Sequence, residues 1–233
     1  MNPILITGVG QRVGLHLART FIDRGHPVIG TYRSQRDGID ELAALGVELH
    51  RCDFYEPAQV QALIDDVAKQ HSRMRAIIHN ASDWLPDSAD HPPEEIVRRM
   101  MAVHVDAPYR INLALADLLK AGAPSDIVHL GDYVSGRGSK KHIAYAASKA
   151  AQDNLTLSFA ALLAPEVKVN SIAPALVLFN EDDDAAYREK TLKKSLMQRE
   201  GGLDEMQHQV DYLLDSQYVT GRIIHMDGGR HLV

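Results

Sequence analysis

Short apolar runs rich in Ile and Val alternate along this chain with longer stretches in which apolar residues recur every three or four positions. A short apolar run between turn residues is typical of a buried strand, and the longer period is typical of an amphipathic helix. The short runs predict strands at residues 3–7, 27–32, 47–52, 75–79, 126–130, 168–172 and 222–226. The helical period is clearest at residues 11–24, 57–70, 93–119, 146–163 and 204–214.

The order of these elements decides the fold class. Strands that alternate with helices are connected by right-handed crossovers and pair in parallel, so that helices cover both faces of the sheet. We therefore predict one α/β domain over residues 1–233, with a Rossmann-type doubly wound, seven-stranded parallel sheet. Pro108 lies inside the third predicted helix and should kink it, because proline removes a backbone donor.

One segment breaks the alternation of strands and helices. Residues 180–202 (NEDDDAAYREKTLKKSLMQREGG) are charged and helix-prone, and we interpret them as a mobile flap inserted in the domain near the substrate. The EDDD run in this flap has donors that suit a cation, but acidic residues before a helix are more often caps or solvated charges. We expect no metal site.

Composition and charge narrow the function. The 233 residues are 45% hydrophobic, enough for one sizeable core. The formal net charge of -6 argues against general nucleic-acid binding, so anionic ligands must be met by local groups. Cys52 is the only cysteine, and no stretch approaches the ~20 apolar residues of a membrane span. We expect a cytoplasmic protein without disulfides, zinc clusters or a membrane anchor.

A glycine-rich turn follows the first predicted strand. The stretch ITGVGQRVG contains Gly8, Gly10 and Gly14, and the helix that begins there points its N-terminal dipole at the turn. Such a turn binds phosphate well and favours a dinucleotide, although tight strand-to-helix turns also use glycine for backbone reasons alone. Arg12 occupies a position at which a small residue would be expected to lie against the phosphates.

The end of the second predicted strand indicates which dinucleotide binds. Enzymes that use NAD usually carry an acid there for the ribose hydroxyls, whereas this chain reads TYRS and has Arg33. A guanidinium can clamp the 2′-phosphate of NADP by paired hydrogen bonds, which favours NADPH as the cofactor. The alternative is an exposed surface arginine.

The stretch YAASK carries a candidate catalytic pair. Tyr145 and Lys149 are four residues apart and so share one face of a helix. A nearby ammonium would lower the pKa of the phenol and help it to deliver a proton near neutral pH. A tyrosine and a lysine at this spacing also occur together by chance. The position of this pair after the fifth strand of a doubly wound pattern favours a catalytic role.

Together these motifs resemble those of the short-chain dehydrogenases/reductases. The turn is similar to their TGxxxGxG loop with Arg12 in place of the middle glycine, and HNAS, VNSIAP and MDGG have counterparts as well. The likeness covers nearly the whole chain. It implies that Lys149 also holds the nicotinamide ribose. It further implies cofactor contacts from Gly8, Arg12, Val13, Gly14, Arg33, Asp53, Phe54, Asn80, Ala81, Ser82, Tyr145, Lys149 and Pro174.

One departure from that family concerns the active site. Most members carry a catalytic serine roughly a dozen residues before the tyrosine, and this chain has Asp132 there. A carboxylate is a poor activator of a plain ketone, because its charge opposes a developing oxyanion. Asp132 suits a substrate that contains nitrogen and could relay protons to Tyr145. The alternative is an aspartate that serves only the turn beside Gly131.

Arg12, Asp132 and the NAS turn resemble those of the pteridine reductases, the branch of the family that reduces pterins and dihydrofolate with NADPH. The resemblance implies that Arg12 reaches towards the pterin, which Ser82, Asp132 and Tyr145 also contact. Trp84 would be the aromatic side chain that stacks on the pterin. The alternative is a core tryptophan, but its segment is polar and turn-rich.

Two further expectations follow from the same likeness. His104 stands where an asparagine usually bends the helix, and it could relay protons or be hydrogen-bonded in a buried helix. The predicted helices at 93–119 and 146–163 resemble those of the family's four-helix subunit interface, which implies a homotetramer.

Two rival functions stay open. One is a 3-oxoacyl or sugar ketoreductase of the same fold, against which Asp132 counts. The other is a non-catalytic regulator that binds NADPH, against which the intact Tyr145 and Lys149 count.

Overall fold

A computed structural model describes residues 1–233, and its seven strands form one parallel sheet. The strands are β1 (Ile4–Ile6), β2 (Val28–Tyr32), β3 (Glu48–Arg51), β4 (Ala76–His79), β5 (Ser125–Leu130), β6 (Val167–Pro174) and β7 (Arg222–Met226). Their order is β3-β2-β1-β4-β5-β6-β7, so the chain winds outward in both directions from β1. The predicted doubly wound sheet is confirmed.

The helices cover both faces of this sheet. They are α1 (Arg12–Asp23), α2 (Asp37–Ala44), α3 (Pro57–Gln70), α4 (Pro93–Met101), α5 (Ala107–Ala114), α6 (Ala116–Ala121), α7 (Ile143–Leu163), α8 (Ala185–Leu192) and α9 (Leu203–Asp215). The sequence pattern did not predict α2, because only Ile39 and Leu42 of this short helix are buried. No helix in the chain combines the length and the apolar character that a membrane crossing needs.

The single helix predicted at 93–119 is wrong, because the chain forms α4, α5 and α6 there. A π-helical turn, Ala102–Asp106, follows α4, and the N–H of Ala107 donates to the carbonyl of Ala102 five residues earlier. Pro108 comes directly after this turn and has no N–H to continue the α-helical pattern. The expected kink therefore takes the form of a π-helical turn.

The alternation of side chains along each strand builds two cores. On one face, Leu5 of β1 packs in a cluster with Ile77 of β4 and Ile127 of β5, under α3, α5 and α7. On the other face, Ile4 and Ile6 pack in a second cluster under α1, α2 and α9. Because successive side chains of a strand point to opposite faces, both clusters come from the same short apolar runs.

The carboxyl ends of the parallel strands meet at one edge of the sheet, which is where ligands bind in open α/β folds. The turns after β1, β2, β4, β5 and β6 carry the glycine-rich turn, Arg33, the HNAS segment, Asp132 and the residues after Pro174, respectively.

Candidate active site

A cavity of about 800 Å³ opens at this edge of the sheet. The predicted site residues that line it are Gly8, Arg12, Val13, Arg33, Asp53, Phe54, Asn80, Ala81, Ser82, Trp84, Asp132 and Tyr145. Gly14, Lys149 and Pro174 do not line it. The structure therefore brings most of the predicted residues together around one cavity.

The HNAS segment holds the glycine-rich turn in place. The Asn80 side chain donates to the carbonyls of Thr7 and Gly8, each at 2.9 Å, and the Thr7 hydroxyl accepts from the Ala81 N–H at 2.9 Å. Gly8 has a φ of +74°, and a Cβ there would lie 2.9 Å from the Ala81 Cα. Only glycine fits this position without displacing the neighbouring turn.

Gly14 and Pro174 lie behind the cavity wall. A Cβ on Gly14 would lie 2.1 Å from the Gly8 carbonyl oxygen, so this glycine lets α1 pack against the turn. Pro174 ends β6, and the next residue, Ala175, lines the cavity and donates its N–H to the Met226 carbonyl at 3.1 Å. Both predicted contacts are thus one layer removed from the cavity surface.

Four residues that line the cavity have backbone N–H groups without an acceptor. These N–H groups belong to Gly10, Gln11, Arg12 and Val13, at the beginning of α1, and none of them donates a hydrogen bond within the chain. The N-terminus of a helix also carries the positive end of its dipole. This group of donors can bind an anion such as a pyrophosphate.

Arg12 spans the cavity. Its guanidinium donates to the Leu178 carbonyl at 2.8 Å and also to the Asn180 side chain, both in the segment after β6. Its φ of +51° lies in the left-handed region that favours glycine, which explains why a glycine would suit this position. Arg12 therefore adopts a backbone conformation that suits glycine, and it adds a cation above the turn.

Arg33 lies in a small charged cluster. Its guanidinium is 3.1 Å from the Asp83 carboxylate, which also accepts a hydrogen bond from the Tyr55 hydroxyl. The Arg33 guanidinium lies 5.5 Å from the centre of the Tyr55 ring. The turn after β4 thus supplies an acid that pairs with Arg33, and no sequence motif points to this partner.

A second cavity of about 750 Å³ adjoins Arg33 at the ends of β2 and β3, and Ser34, Arg51 and Asp53 also line it. Two guanidinium groups and a hydroxyl can surround a phosphate there. Asp53 is tied to its own turn, where its carboxylate accepts from the Tyr55 N–H at 3.0 Å. The Phe54 side chain is buried in the core, so it borders the first cavity from behind.

Tyr145 and Asp132 form the polar centre of the first cavity. The Tyr145 hydroxyl donates to Asp132 Oδ2 at 2.8 Å, while Asp132 Oδ1 accepts from the Val134 N–H at 2.8 Å. Asp132 therefore caps its turn and also contacts the tyrosine. Lys149 is buried beside them, and its Nζ donates to the Leu130 carbonyl at 2.7 Å.

Burial dominates the pKa values of these three groups. It raises the pKa of the Tyr145 phenol well above its usual value, and the charge of Asp132 raises it further. Burial also raises the pKa of Asp132 and lowers that of Lys149 to about 8. The expectation of a lowered pKa for Tyr145 is wrong, because burial and the charge of Asp132 raise it. Tyr145 is a protonated phenol at neutral pH.

His104 lies in the π-helical turn, fully buried behind this centre. The Ser148 hydroxyl donates to the Tyr145 carbonyl at 2.7 Å, so it must accept from the His104 Nδ1–H at 2.8 Å. His104 Nε2 then accepts from the Ser82 hydroxyl at 2.8 Å. Burial and the charge of Lys149 hold the pKa of His104 well below its usual value. His104 is a neutral, hydrogen-bonded histidine at physiological pH.

Trp84 is 59% exposed and lines the cavity, so it is not a core residue. Its ring stacks on that of His142, with the ring centres 4.0 Å apart and an angle of 14° between the planes. His142 in turn hydrogen-bonds through Nδ1 to the Leu85 carbonyl at 3.1 Å. No sequence motif points to His142, which supports one face of the indole.

The predicted flap at 180–202 contains α8 and closes one side of the cavity. In its acidic run, Asp184 caps α8 by accepting from the Tyr187 N–H at 2.7 Å, and Asp183 accepts from the Asn180 N–H at 2.8 Å within the preceding turn. Nowhere in the chain are three or more His, Cys, Asp or Glu side chains grouped so that they could hold a metal ion.

Comparison with known sequences gives extended matches. A family model described as "Enoyl-(Acyl carrier protein) reductase" matches residues 8–231. Dihydromonapterin reductase from Escherichia coli O6:K15:H31 (strain 536 / UPEC) is 53% identical to this chain over 232 residues, which cover 99% of this chain and 97% of that protein. The enzyme of the same name from Shigella boydii serotype 4 (strain Sb227) has the same identity and coverage.

Solved structures with the same fold include FolM alternative dihydrofolate reductase 1 from Brucella canis, complexed with NADP. It is 25% identical to this chain, with a TM-score of 0.88, and the match covers 100% of this chain and 94% of that one. Pseudomonas aeruginosa RhlG, in an active-site complex with NADP, shares the fold at 24% identity with a TM-score of 0.86. That match covers 99% of this chain and 96% of that one.

Proposed function

Because the chain belongs to the short-chain dehydrogenase/reductase family, we propose that it reduces 7,8-dihydromonapterin to the tetrahydro form with NADPH, with a weaker activity on dihydrofolate. The observation that carries this proposal is the contact of 2.8 Å between Tyr145 and Asp132 in a cavity that Trp84 also lines. The identity of 53% to an enzyme named dihydromonapterin reductase supports the substrate.

The residues around the cavity fit NADPH. The four amides without acceptors at the beginning of α1 suit a pyrophosphate, and Arg33 with Arg51 suits a 2′-phosphate. When bound, NADPH supplies the hydride that adds to C6 of the pterin. Structures of FolM proteins from two Brucella species hold NADP, which agrees with this choice.

Tyr145 holds the proton that is needed at N5 of the pterin. Its raised pKa keeps the phenol protonated, and Asp132 fixes the direction of the hydroxyl. Burial raises the pKa of Asp132 as well, so this carboxyl can take up a proton and return it to the phenol. Lys149 keeps most of its charge at neutral pH, because its pKa is about 8, and this charge balances that of Asp132.

Trp84, Ser82 and Arg12 hold the pterin in this proposal. The indole offers a flat, exposed face for stacking, with His142 behind it. Arg12 provides a cation between the glycine-rich turn and the flap, which we propose to be the substrate loop of the domain. The hydrogen bond from the Arg12 guanidinium to the side chain of Asn180, the first residue of the flap, supports this role.

The test is an NADPH oxidation assay that compares dihydromonapterin, dihydrobiopterin, dihydrofolate and an acetoacetyl thioester. We expect the highest kcat/KM with dihydromonapterin and a lower value with dihydrofolate. Turnover of the thioester alone would establish the rival ketoreductase, which the carboxylate at Asp132 disfavours. Binding of NADPH with no turnover of any substrate would establish a regulator.

Trp84→Ala is expected to raise the KM for dihydromonapterin by about ten- to a hundredfold, because this is the loss of affinity that corresponds to the free energy of stacking on an aromatic ring. The Kd for NADPH and the Tm should change little, because Trp84 is 59% exposed. Trp84→Phe should keep most of the activity. Steady-state kinetics and a thermal melt on both variants check this. An unaltered KM together with a much lower Tm would contradict the stacking role.

Arg33→Gln is expected to lower kcat/KM for NADPH by about ten- to a hundredfold, because a charged hydrogen bond to phosphate contributes roughly 1.5 to 3 kcal/mol. NADH, which has no 2′-phosphate, should be little affected. Arg24→Gln is a matched control, since Arg24 pairs with Asp211 away from both cavities. Equal losses with both cofactors would count against phosphate binding by Arg33.

We also propose a homotetramer. Helices α4 and α5 expose Val97, Tyr109 and Leu113, and α7 exposes Leu157 and Leu162. Large apolar side chains on adjacent helices support burial against further subunits. Light scattering at micromolar concentration should give four times the chain mass of 25.8 kDa, and a monomer mass would contradict it.

The cytoplasm is the compartment that we propose for this enzyme. Its single cysteine, Cys52, is a buried free thiol, and burial raises the pKa of that thiol to about 12. A protein without disulfides is compatible with a reducing compartment. Cell fractionation with an antibody against the chain tests this placement.

A further inference from the structure

Four cations without an ion-pair partner lie at or near the flap side of the active-site cavity. Lys194 and Arg230 line the cavity, and Lys141 and Lys190 are close enough to act on the charge of Lys194. None of the four belongs to an ion pair within the chain. Because the chain has 31 acidic and 25 basic residues, such a group is not a consequence of composition.

The fold fixes this cluster beside the catalytic centre. The segment after α8 is joined to the segment after β7 by the Met197 N–H, which donates to the Gly228 carbonyl at 3.0 Å. This contact brings Lys194 and Arg230 to the same wall of the cavity. The Arg230 guanidinium lies over the Tyr133 ring, 4.3 Å from the ring centre. Tyr133 directly follows Asp132 in the chain.

Arg230 lies between the catalytic centre and the outer cations. The charge of Arg230 acts on Asp132, the partner of Tyr145, and also on Lys194 further out. Burial and then the charges of Arg230, Lys190 and Lys141 lower the pKa of Lys194, and no carboxylate opposes them. Cations held together without an acid repel each other, and a bound anion relieves that repulsion.

The cofactor's 2′-phosphate does not account for these cations. Arg33 and Arg51 lie at the ends of β2 and β3, and β3 is one edge of the sheet. Arg230 follows β7, which is the opposite edge. The anion that meets Lys194 and Arg230 is therefore not the 2′-phosphate bound near Arg33. Because Lys194 and Arg230 line the same cavity as Asp132 and Tyr145, we expect the anion to belong to the substrate.

We propose that Lys194 and Arg230, with Lys141 and Lys190 at the rim, form a subsite for an anionic group at the end of a dihydropterin's side chain. This proposal rests on the proposed function, because it assumes that the pterin ring lies at Trp84 and Tyr145. A side chain that extends from the ring to the mouth of the cavity meets these cations. The anion is a carboxylate, as in the glutamyl end of dihydrofolate, or a phosphate ester.

The test compares three substrates on the double variant Lys190→Gln/Lys194→Gln. The substrates are dihydromonapterin, which is uncharged, dihydrofolate, which carries carboxylates, and the phosphate ester of dihydromonapterin. We expect kcat/KM for an anionic substrate, relative to that for dihydromonapterin, to fall by about tenfold, as expected for the loss of a charge-assisted contact. A loss confined to dihydrofolate identifies the carboxylate as the ligand, and a loss confined to the ester identifies the phosphate.

Lys193→Gln is the matched control. Lys193 is the neighbour of Lys194, but it points to Glu189 and pairs with that residue at 2.6 Å. This variant should keep the wild-type ratio of anionic to uncharged substrates. Raising the ionic strength should lower kcat/KM of the wild type for the anionic substrates more than for dihydromonapterin, because salt screens exposed charges.

Three results would overturn the subsite. They are a ratio of anionic to uncharged substrates that stays unchanged in the double variant, a loss in Lys193→Gln as large as in the double variant, and a weaker Kd for NADPH in the double variant. Reduction of dihydromonapterin with an unchanged ratio in the double variant would defeat the subsite alone. No reduction of any pterin by the wild type would instead defeat the proposed function.

Discussion

The Tyr145→Phe variant is expected to lose about a hundred- to ten-thousandfold in kcat for dihydromonapterin, since a positioned general acid contributes a factor in this range. The substitution removes only the hydroxyl that contacts Asp132 at 2.8 Å. The ring stays packed against Ile96 and Met100, so the fold and the Kd for NADPH should persist. Steady-state NADPH oxidation and a fluorescence titration of NADPH measure the two quantities.

Tyr212→Phe is the matched control, because this exposed tyrosine lies on α9 and does not line the cavity. It should keep the wild-type kcat. Asp132→Asn should also lower kcat, since an amide can accept from Tyr145 but cannot supply a proton to it. A kcat within about threefold of the wild type in Tyr145→Phe would show that an ordered water, and not Tyr145, protonates N5, because general acid catalysis by the phenol would then be absent.

The strands and most of the long helices were predictable because their signals are local, whereas the single helix predicted at 93–119 was wrong. The strand RIIHM lies between Gly221 and Asp227 and was predicted with its observed bounds, Arg222–Met226. Helix α7 was expected to begin at residue 146, but it begins at Ile143. The reason is a distant cap: the Asp87 side chain accepts from the Ile143 N–H at 2.7 Å. A residue 56 positions away cannot be identified as a cap from the local pattern.

Site residues whose contacts are local in the chain were predicted, and those whose contacts join distant segments were missed. Tyr145 and Lys149 lie one turn apart on a helix, so spacing alone brings them together. The partners Asp83 for Arg33 and His142 for Trp84 come from different turns of the fold. Their contacts depend on the order of the strands in the sheet, which brings the ends of β2, β4 and β5 to one edge.

Buried polar side chains lie in contact between the sheet and helices α5 and α7, and no sequence motif pointed to them. His79 Nε2 donates to Asn112 Oδ1 at 2.7 Å, which leaves His79 Nδ1 as a buried acceptor without a partner. His129 stacks on His79 with ring centres 5.0 Å apart, and its Nδ1 contacts the Thr156 hydroxyl at 2.8 Å. Burial lowers the pKa of His79 to about 4 and that of His129 well below its usual value.

The free energy of unfolding is therefore expected to fall by about 2 kcal/mol from His79 alone between pH 7 and pH 5, because each unit of pKa shift corresponds to about 1.4 kcal/mol. His79 is neutral in the folded protein down to its pKa of about 4, whereas in the unfolded chain it takes up a proton near its ordinary pKa of 6.5. The stability is thus present above pH 6.5 and is lost as the pH falls towards 4. Protonation in the fold would place an N–H at Nδ1, where no acceptor lies.

Urea unfolding at a series of pH values should show that the free energy of unfolding depends less steeply on pH in His79→Gln than in the wild type. His208→Gln, at an exposed histidine, should keep the wild-type slope. Equal slopes for His79→Gln and the wild type would show that the proton taken up on unfolding binds elsewhere.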